Sequence, residues 1–194
     1  MKIGLLGGSF NPAHDGHVHI SLQAIRQLGL DEVWWLVSPQ NPLKSTKGMA
    51  SYEQRLASVL QQIEPHNALK ICEIEQEYGL HYTAESLALI RQLYPQHQFV
   101  WLMGSDNLAQ FHRWKNWCNI LNLMQICVFD RAPHSHRALR SRMAIRYAAQ
   151  RITNPKALLS TAAGLPRWIY LFIPRNRQSA TAIRNTVGTK GFLR

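Results

Sequence analysis

Met1-Lys-Ile-Gly-Leu-Leu-Gly-Gly-Ser-Phe-Asn-Pro-Ala-His-Asp-Gly-His17 opens the chain, and its reading decides the fold. Ile3 to Leu6 form an apolar run that predicts a short buried strand. Gly7 and Gly8 follow; lacking a Cβ, they let the backbone turn tightly and approach a ligand closely. Pro12 keeps a helix from starting early. His14 and His17 then stand at the head of a periodic apolar segment, Val18, Leu22, Ile25 and Leu28, which predicts a helix near 17–28. Strand, glycine turn and helix N-terminus make an anion site, with free amide N–H groups and the positive end of the helix dipole. Two imidazoles added there suit a phosphate group whose charge grows during reaction.

The alternation begun here continues along the chain. Apolar strands are predicted at 2–6, 32–37, 69–74, 98–103, 124–129 and 168–173, several of them apolar at nearly every position. Such strands belong to a sheet covered on both faces. Between them helices are predicted near 17–28, 52–63, 83–94 and 137–151, with a short one after 179. Ser51-x-x-Gln54 forms a capping box for the second. Alternating β and α elements predict an α/β fold, a doubly wound, Rossmann-like parallel sheet flanked by helices. Right-handed crossovers put ligands at the carboxyl ends of the strands, near the switch point.

At 194 residues the chain is most economically one domain, 1–194, with room for a substantial core. No stretch approaches the roughly 20 apolar residues of a membrane span, and no apolar leader core precedes the glycines. Cys72, Cys118 and Cys127 are odd in number and lack metal spacing, so reduced thiols and a cytoplasmic location are expected. The net charge of +11 is unevenly placed. Residues 1–106 hold seven Lys/Arg against ten Asp/Glu, whereas residues 107–194 hold fifteen against a single acid, Asp130. That asymmetry points to an anionic partner, a triphosphate or a nucleic acid. The densest run, Arg137 to Arg151, carries Leu139, Met143 and Tyr147 on one helical stripe, so its arginines read as a solvated face. It also lacks the glycine-aromatic signature of an RNA-binding sheet.

The opening stretch resembles the G-x-F-x-P-x-H-x-G-H signature of the nucleotidylyltransferase superfamily, carried here by Gly8-Ser-Phe-Asn-Pro-Ala-His14-Asp-Gly-His17. The superfamily's second signature, I-S-[ST]-T-x-I-R, is matched by Gln178-Ser179-Ala180-Thr181-Ala182-Ile183-Arg184. Within it the chain is most similar to bacterial nicotinate-nucleotide adenylyltransferases. Supporting segments are Ser38-Pro-Gln-Asn-Pro-Leu-Lys44, Tyr82-Thr83-Ala-Glu-Ser-Leu87, Met103-Gly-Ser-Asp106-Asn-Leu108 and Phe111-His-Arg-Trp114. The resemblance implies an adenylyltransferase of the HxGH type, joining the AMP of ATP to nicotinate mononucleotide and releasing pyrophosphate. Nicotinamide mononucleotide and phosphopantetheine are the alternative acceptors. Mg2+ is expected to bridge ATP oxygens and to need few protein carboxylates.

The resemblance also implies residue roles. His14 and His17 would hydrogen-bond the ATP phosphates, on a turn formed by Gly7, Gly8, Ser9 and Phe10. Ser179 and Thr181 would offer amides and hydroxyls to the β and γ phosphates, and Arg184 a permanent cation to the leaving pyrophosphate. Ala180 replaces a more usual hydroxyl residue. Asp106 would bond the adenosine ribose while Gly104 allows close approach, although an acid after a strand also serves as a helix cap. Arg131 would face the phosphates or stand as a surface arginine. On the acceptor side, Trp114 would stack on the pyridine ring. Tyr82 and Thr83, at a helix start, would present N–H groups to the nicotinate carboxylate. Lys44 would anchor the mononucleotide phosphate, although the His that usually precedes this base is Leu43 here.

Other chemistries fit less well. His14, His17 and His19 could also be read as a zinc or HxH site, and HxH opens metal-dependent (β/α)8 hydrolases. Those barrels need about 250 residues, more than this chain has, and no acid-rich companion motif follows, Asp130 standing alone. Gly4, Gly7 and Gly8 miss G-x-G-x-x-G, and no G-x-x-x-x-G-K-[ST] is present.

Overall fold

The computed structural model describes residues 1–40, 48–131, 135–160 and 164–174. The apolar run at the start forms β1 (Lys2–Gly8), and α1 (Asp15–Leu28) follows across the glycine turn. The chain continues through β2 (Glu32–Val37), α2 (Tyr52–Ile63), β3 (Leu69–Cys72), α3 (Ile74–Glu77), α4 (Thr83–Leu93) and β4 (Gln98–Gly104). Then come α5 (Ser105–Gln110), α6 (Trp117–Leu123), β5 (Gln125–Phe129), α7 (Ser135–Leu139), α8 (Arg142–Arg146), β6 (Arg151–Ile152) and β7 (Trp168–Leu171).

All the described strands lie in one parallel sheet, in the order β3-β2-β1-β4-β5-β7-β6. The chain winds outward from β1 through β2 to β3, then returns to the far side of β1 as β4. β1 therefore pairs with both, Gly4 opposite Val33 on one side and Val100 on the other. The crevice at this switch point opens at the carboxyl ends of β1 and β4, beside Gly8 and Gly104.

Both faces are covered, which explains the uninterrupted apolar strands. Phe99, Trp101 and Met103 face a core shared with Leu87 and Ile90 of α4 and with Ile120 and Leu121 of α6. The intervening Val100 and Leu102 face the opposite core, with Ala24 and Leu28 of α1 and Val59 of α2. Ser51 caps α2 as the sequence predicts, accepting from the Gln54 N–H while the Gln54 side chain accepts from the Ser51 N–H.

Three expectations need correction. The helix predicted over 137–151 is broken into α7, α8 and a 3₁₀ turn at 148–150. Ser141 restarts the helix by accepting the Ala144 N–H at 3.3 Å, while Met143 of the apolar stripe stays fully buried. β6 has no counterpart among the predicted strands, since two residues are too few for a periodicity to register. The predicted strand 69–74 ends at Cys72, because Ile74 starts α3. The helix expected after 179 lies outside the described residues.

Candidate active site

His14 and His17 form a reciprocal cap on α1 (the two-sided arrangement usually made by Ser and Glu). The Nδ1 of His14 accepts the Gly16 N–H at 3.0 Å, and the Nδ1 of His17 accepts the His14 N–H at 3.2 Å. With Nδ1 an acceptor in both rings, the neutral tautomer carries its proton on Nε2. The ring centroids are 3.9 Å apart. Burial, reinforced by the positive charge of Arg131 and opposed by Asp15, lowers the His14 pKa from 6.5 to about 4. His14 is therefore neutral at physiological pH: a hydrogen-bond donor, not a cation.

That shift has a consequence for stability. Between pH 6.5 and about 4 the unfolded chain binds a proton that folded His14 refuses. Its contribution is full above pH 6.5 and is lost as pH falls through that window. Thermal unfolding followed from pH 7 to pH 4 should show the decline, and His14→Asn, which can still cap the helix, should reduce it.

The turn is braced from beneath. Phe10 takes a left-handed backbone, φ 44°, a conformation costing about 1 kcal/mol or more in a bulky residue. Its ring offsets this by stacking on Trp35 with centroids 5.0 Å apart, and it also backs His17 at 4.9 Å. Gly7 answers a packing demand: a Cβ there would lie 2.3 Å from Cη2 of Trp101. The space beside it holds the indole, so the ligand-approach argument applies to Gly8, whose nearest neighbour would be the Phe10 ring at 3.4 Å.

The carboxyl ends of β4 and β5 complete one wall. The Ser105 hydroxyl spans backbone groups of Arg131, accepting its N–H and donating to its carbonyl, each at 2.9 Å. This ties the β4 end to the β5 end and sets the Arg131 guanidinium 3.8 Å from Asp106 Oδ2. Arg131 also reaches His14 electrostatically, so its charge acts on both His14 and Asp106. The space beside Gly104 is taken by Asp106 itself, whose Oδ1 would lie 2.4 Å from a Cβ there. That oxygen is buried with no hydrogen-bond partner among the described residues.

The other wall is aromatic. Trp114 packs half-buried against Phe111, at 5.1 Å, and against Trp101, at 6.2 Å. Tyr82 precedes α4 with no side-chain cap, leaving the first N–H groups of that helix, Thr83 among them, without side-chain partners from the cap residue. Lys115, one residue beyond Trp114, sits 4.0 Å above the Tyr82 ring and 3.0 Å from Glu85. Trp114 and the Tyr82–Thr83 helix start are thereby brought near one another. Because Trp101 lies against both Gly7 and Trp114, the glycine turn and the aromatic wall meet through one indole.

A buried cation lies under the turn. Arg55 of α2, 2% exposed, donates to the Ser9 and Ser38 carbonyls at 2.7 Å, to Pro39 at 2.8 Å and to Ala50 at 3.3 Å. Asn11 bridges the same region, donating to the Gly48 carbonyl and accepting the Ala50 N–H. Among the described residues no group of three His, Cys, Asp or Glu side chains is arranged to hold a metal, and His19 contacts the Pro174 carbonyl at 2.7 Å.

The cytidylyltransferase-like family profile matches residues 5–186. A protein of Ruegeria sp. TM1040 described as a probable nicotinate-nucleotide adenylyltransferase is 44% identical over 95% of this chain and 96% of its own length. One from Parvibaculum lavamentivorans, with the same description, is 43% identical over 97% of this chain and 93% of its own. The chain belongs to the nicotinate-nucleotide adenylyltransferases of the cytidylyltransferase-like family. The same fold occurs in the Plasmodium falciparum nicotinic acid mononucleotide adenylyltransferase solved with NaAD. That structure matches with a TM-score of 0.74 at 14% identity, over 98% of this chain and 85% of its own.

For this member of the family, Lys44, Ser179, Thr181 and Arg184 lie outside the described residues. Sequence reasoning overlooked Arg55, Lys115 and Trp101's part in joining the walls. Arg55 carried a faint signal: it falls at a core-facing position of α2, three residues after Tyr52 and four before Val59, where a charged side chain requires a reason.

Proposed function

We propose that this protein transfers AMP from ATP to nicotinate mononucleotide, forming deamido-NAD and pyrophosphate in NAD synthesis, by chemistry that relies on placement and charge. What carries the reading is the meeting, at the switch point of the sheet, of an imidazole-capped helix N-terminus with Asp106 and Arg131. A phosphate monoester has its second pKa near 6, so the attacking group is already largely dianionic and needs no strong base. One of its oxygens attacks the α-phosphorus of ATP while the bond to the β-phosphate bridging oxygen breaks in line, and that oxygen leaves with pyrophosphate.

His14 and His17 donate from Nε2 to the phosphates, where charge shifts toward the leaving group. A neutral His14 suits this role, since its Nε2–H is a directed donor that does not readily leave as a proton. Arg131 supplies permanent positive charge, and Ser179, Thr181 and Arg184 are assigned to the β and γ phosphates. The adenosine ribose is a partner for the unpaired Asp106 oxygen, with Gly104 beside it. Lys44 is assigned to the mononucleotide phosphate and Trp114 to the face of the pyridine. Among the described residues no three His, Cys, Asp or Glu side chains are grouped to hold a metal, and Asp106 faces Arg131. A divalent cation therefore fits as one carried in on the triphosphate, and Mg2+ is the ion expected. It neutralises phosphate charge when bound. The chain would act as one nucleotidylyltransferase domain in the cytoplasm, where its thiols stay reduced.

Tyr82 and Thr83 set the acceptor: the positive end of α4 favours the carboxylate of nicotinate over an uncharged amide. A hydrogen bond to a charged group contributes about 1.5–3 kcal/mol, so kcat/KM should favour the acid mononucleotide by roughly 10- to 100-fold. Pyrophosphate release from ATP, measured with both mononucleotides and with phosphopantetheine, tests this. Equal rates with acid and amide would remove the role of Tyr82 and Thr83; release with none of them would remove the function.

A further inference from the structure

Arg55 belongs to no step of the reaction, yet it is the most deeply buried cation in the described structure. A charge placed there is costly unless its donors are satisfied. Among the described residues it makes no ion pair, and carbonyl oxygens take that part. Four of the five guanidinium N–H donors are accounted for by four carbonyls from three chain segments. Ser9 lies in the turn between β1 and α1, Ser38 and Pro39 follow β2, and Ala50 leads into α2. The Tyr52 ring covers the group at 5.3 Å.

The connection runs further. The Ser38 side chain is hydrogen-bonded to the buried carboxylate of Glu75, which also accepts the Ser86 hydroxyl of α4 at 2.9 Å. A continuous polar path therefore links the phosphate turn, through Arg55, Ser38 and Glu75, to the first turns of the helix that begins at Thr83. Its two ends are the two substrate sides of the pocket.

Given that ATP and a mononucleotide react across this pocket, we propose that Arg55 is a positioning residue that sets the distance between the phosphate turn and the acceptor side. It touches neither substrate. Each side keeps its own contacts without it: the His14–His17 cap lies within α1, and the aromatic wall rests on β4 and α4. Loss of Arg55 therefore leaves each substrate bound but misaligned, and misplacement of about 1 Å can cost 100-fold in rate.

Arg55→Met and Arg55→Lys test this. Lysine keeps the charge but gathers its donors on one nitrogen, which cannot span three segments. Expected are falls in kcat of about 100-fold for Arg55→Met and about 10-fold for Arg55→Lys, with both KM values within about threefold of wild type. ATP binding in the absence of acceptor should likewise be kept, and circular dichroism should show a folded chain. Should Arg55→Met fail to fold, Arg55→Lys carries the test alone. A folded variant with kcat within threefold of wild type overturns the proposal, as does a loss confined to KM. Wild-type protein that releases no pyrophosphate with nicotinate mononucleotide would overturn the function, a result separable from either.

Discussion

His17→Ala should lower kcat by about 100- to 1,000-fold and leave the fold standing, because it removes one directed donor from the place where phosphate charge shifts. Its structural cost is small. The Nδ1 of His17 accepts the His14 N–H at 3.2 Å, and loss of such a cap costs about 1 kcal/mol. The His14 contact to Gly16, at 3.0 Å, keeps half of the cap. Phe10 loses a ring neighbour at 4.9 Å but keeps its stack on Trp35. Pyrophosphate release and far-UV circular dichroism on the same sample separate chemistry from folding. Ordinary turnover in a folded His17→Ala protein would end the mechanism.

Gly7→Ala should produce the largest loss of stability of any single methyl group at the site. The added carbon would stand 2.3 Å from Cη2 and 3.1 Å from Cζ2 of Trp101, a rigid ring 2% exposed and blocked beyond by Trp114. Neither the central strand nor the indole can yield without moving a wall of the pocket. Overpacking of this kind costs about 1–3 kcal/mol, and about 3 kcal/mol would lower Tm by roughly 10 °C in a chain of this size. Trp101→Phe removes the clashing atoms, so the double variant should be more stable than the two single effects added together. Gly8→Ala is the internal control, since its carbon would meet the Phe10 ring at 3.4 Å, close to ordinary contact. A Gly7→Ala protein that melts with the wild type would refute the packing argument.

These residues show where one-dimensional reasoning works and where it ends. Ile3–Leu6, the glycine turn and the His14 cap are neighbours in sequence, and the strand–turn–helix follows from local rules. Ser51–Gln54 is likewise local, and it caps α2 as expected. The stripe of Leu139, Met143 and Tyr147 predicts one helix where the structure has two and a turn, because periodicity reports which side chains share a face, not whether the backbone between them is continuous. Gly7 reads in sequence as an opening for a ligand, because nothing there shows that Trp101, 94 positions away, lies across it.

Strand identity, parallel alternation and the histidine-bearing turn rest on contacts within a few residues, so the order of side chains was enough to specify them. The pocket's working arrangement rests on contacts across the sheet. Trp101 is wedged between Gly7 and Trp114, Ser105 clasps Arg131, and Arg55 gathers carbonyls from three segments. Such pairs come together because β1 lies inside the sheet with β2 and β4 on its two sides. Strand order of that kind emerges when both faces bury their apolar stripes at once, a condition that no single segment of chain can express.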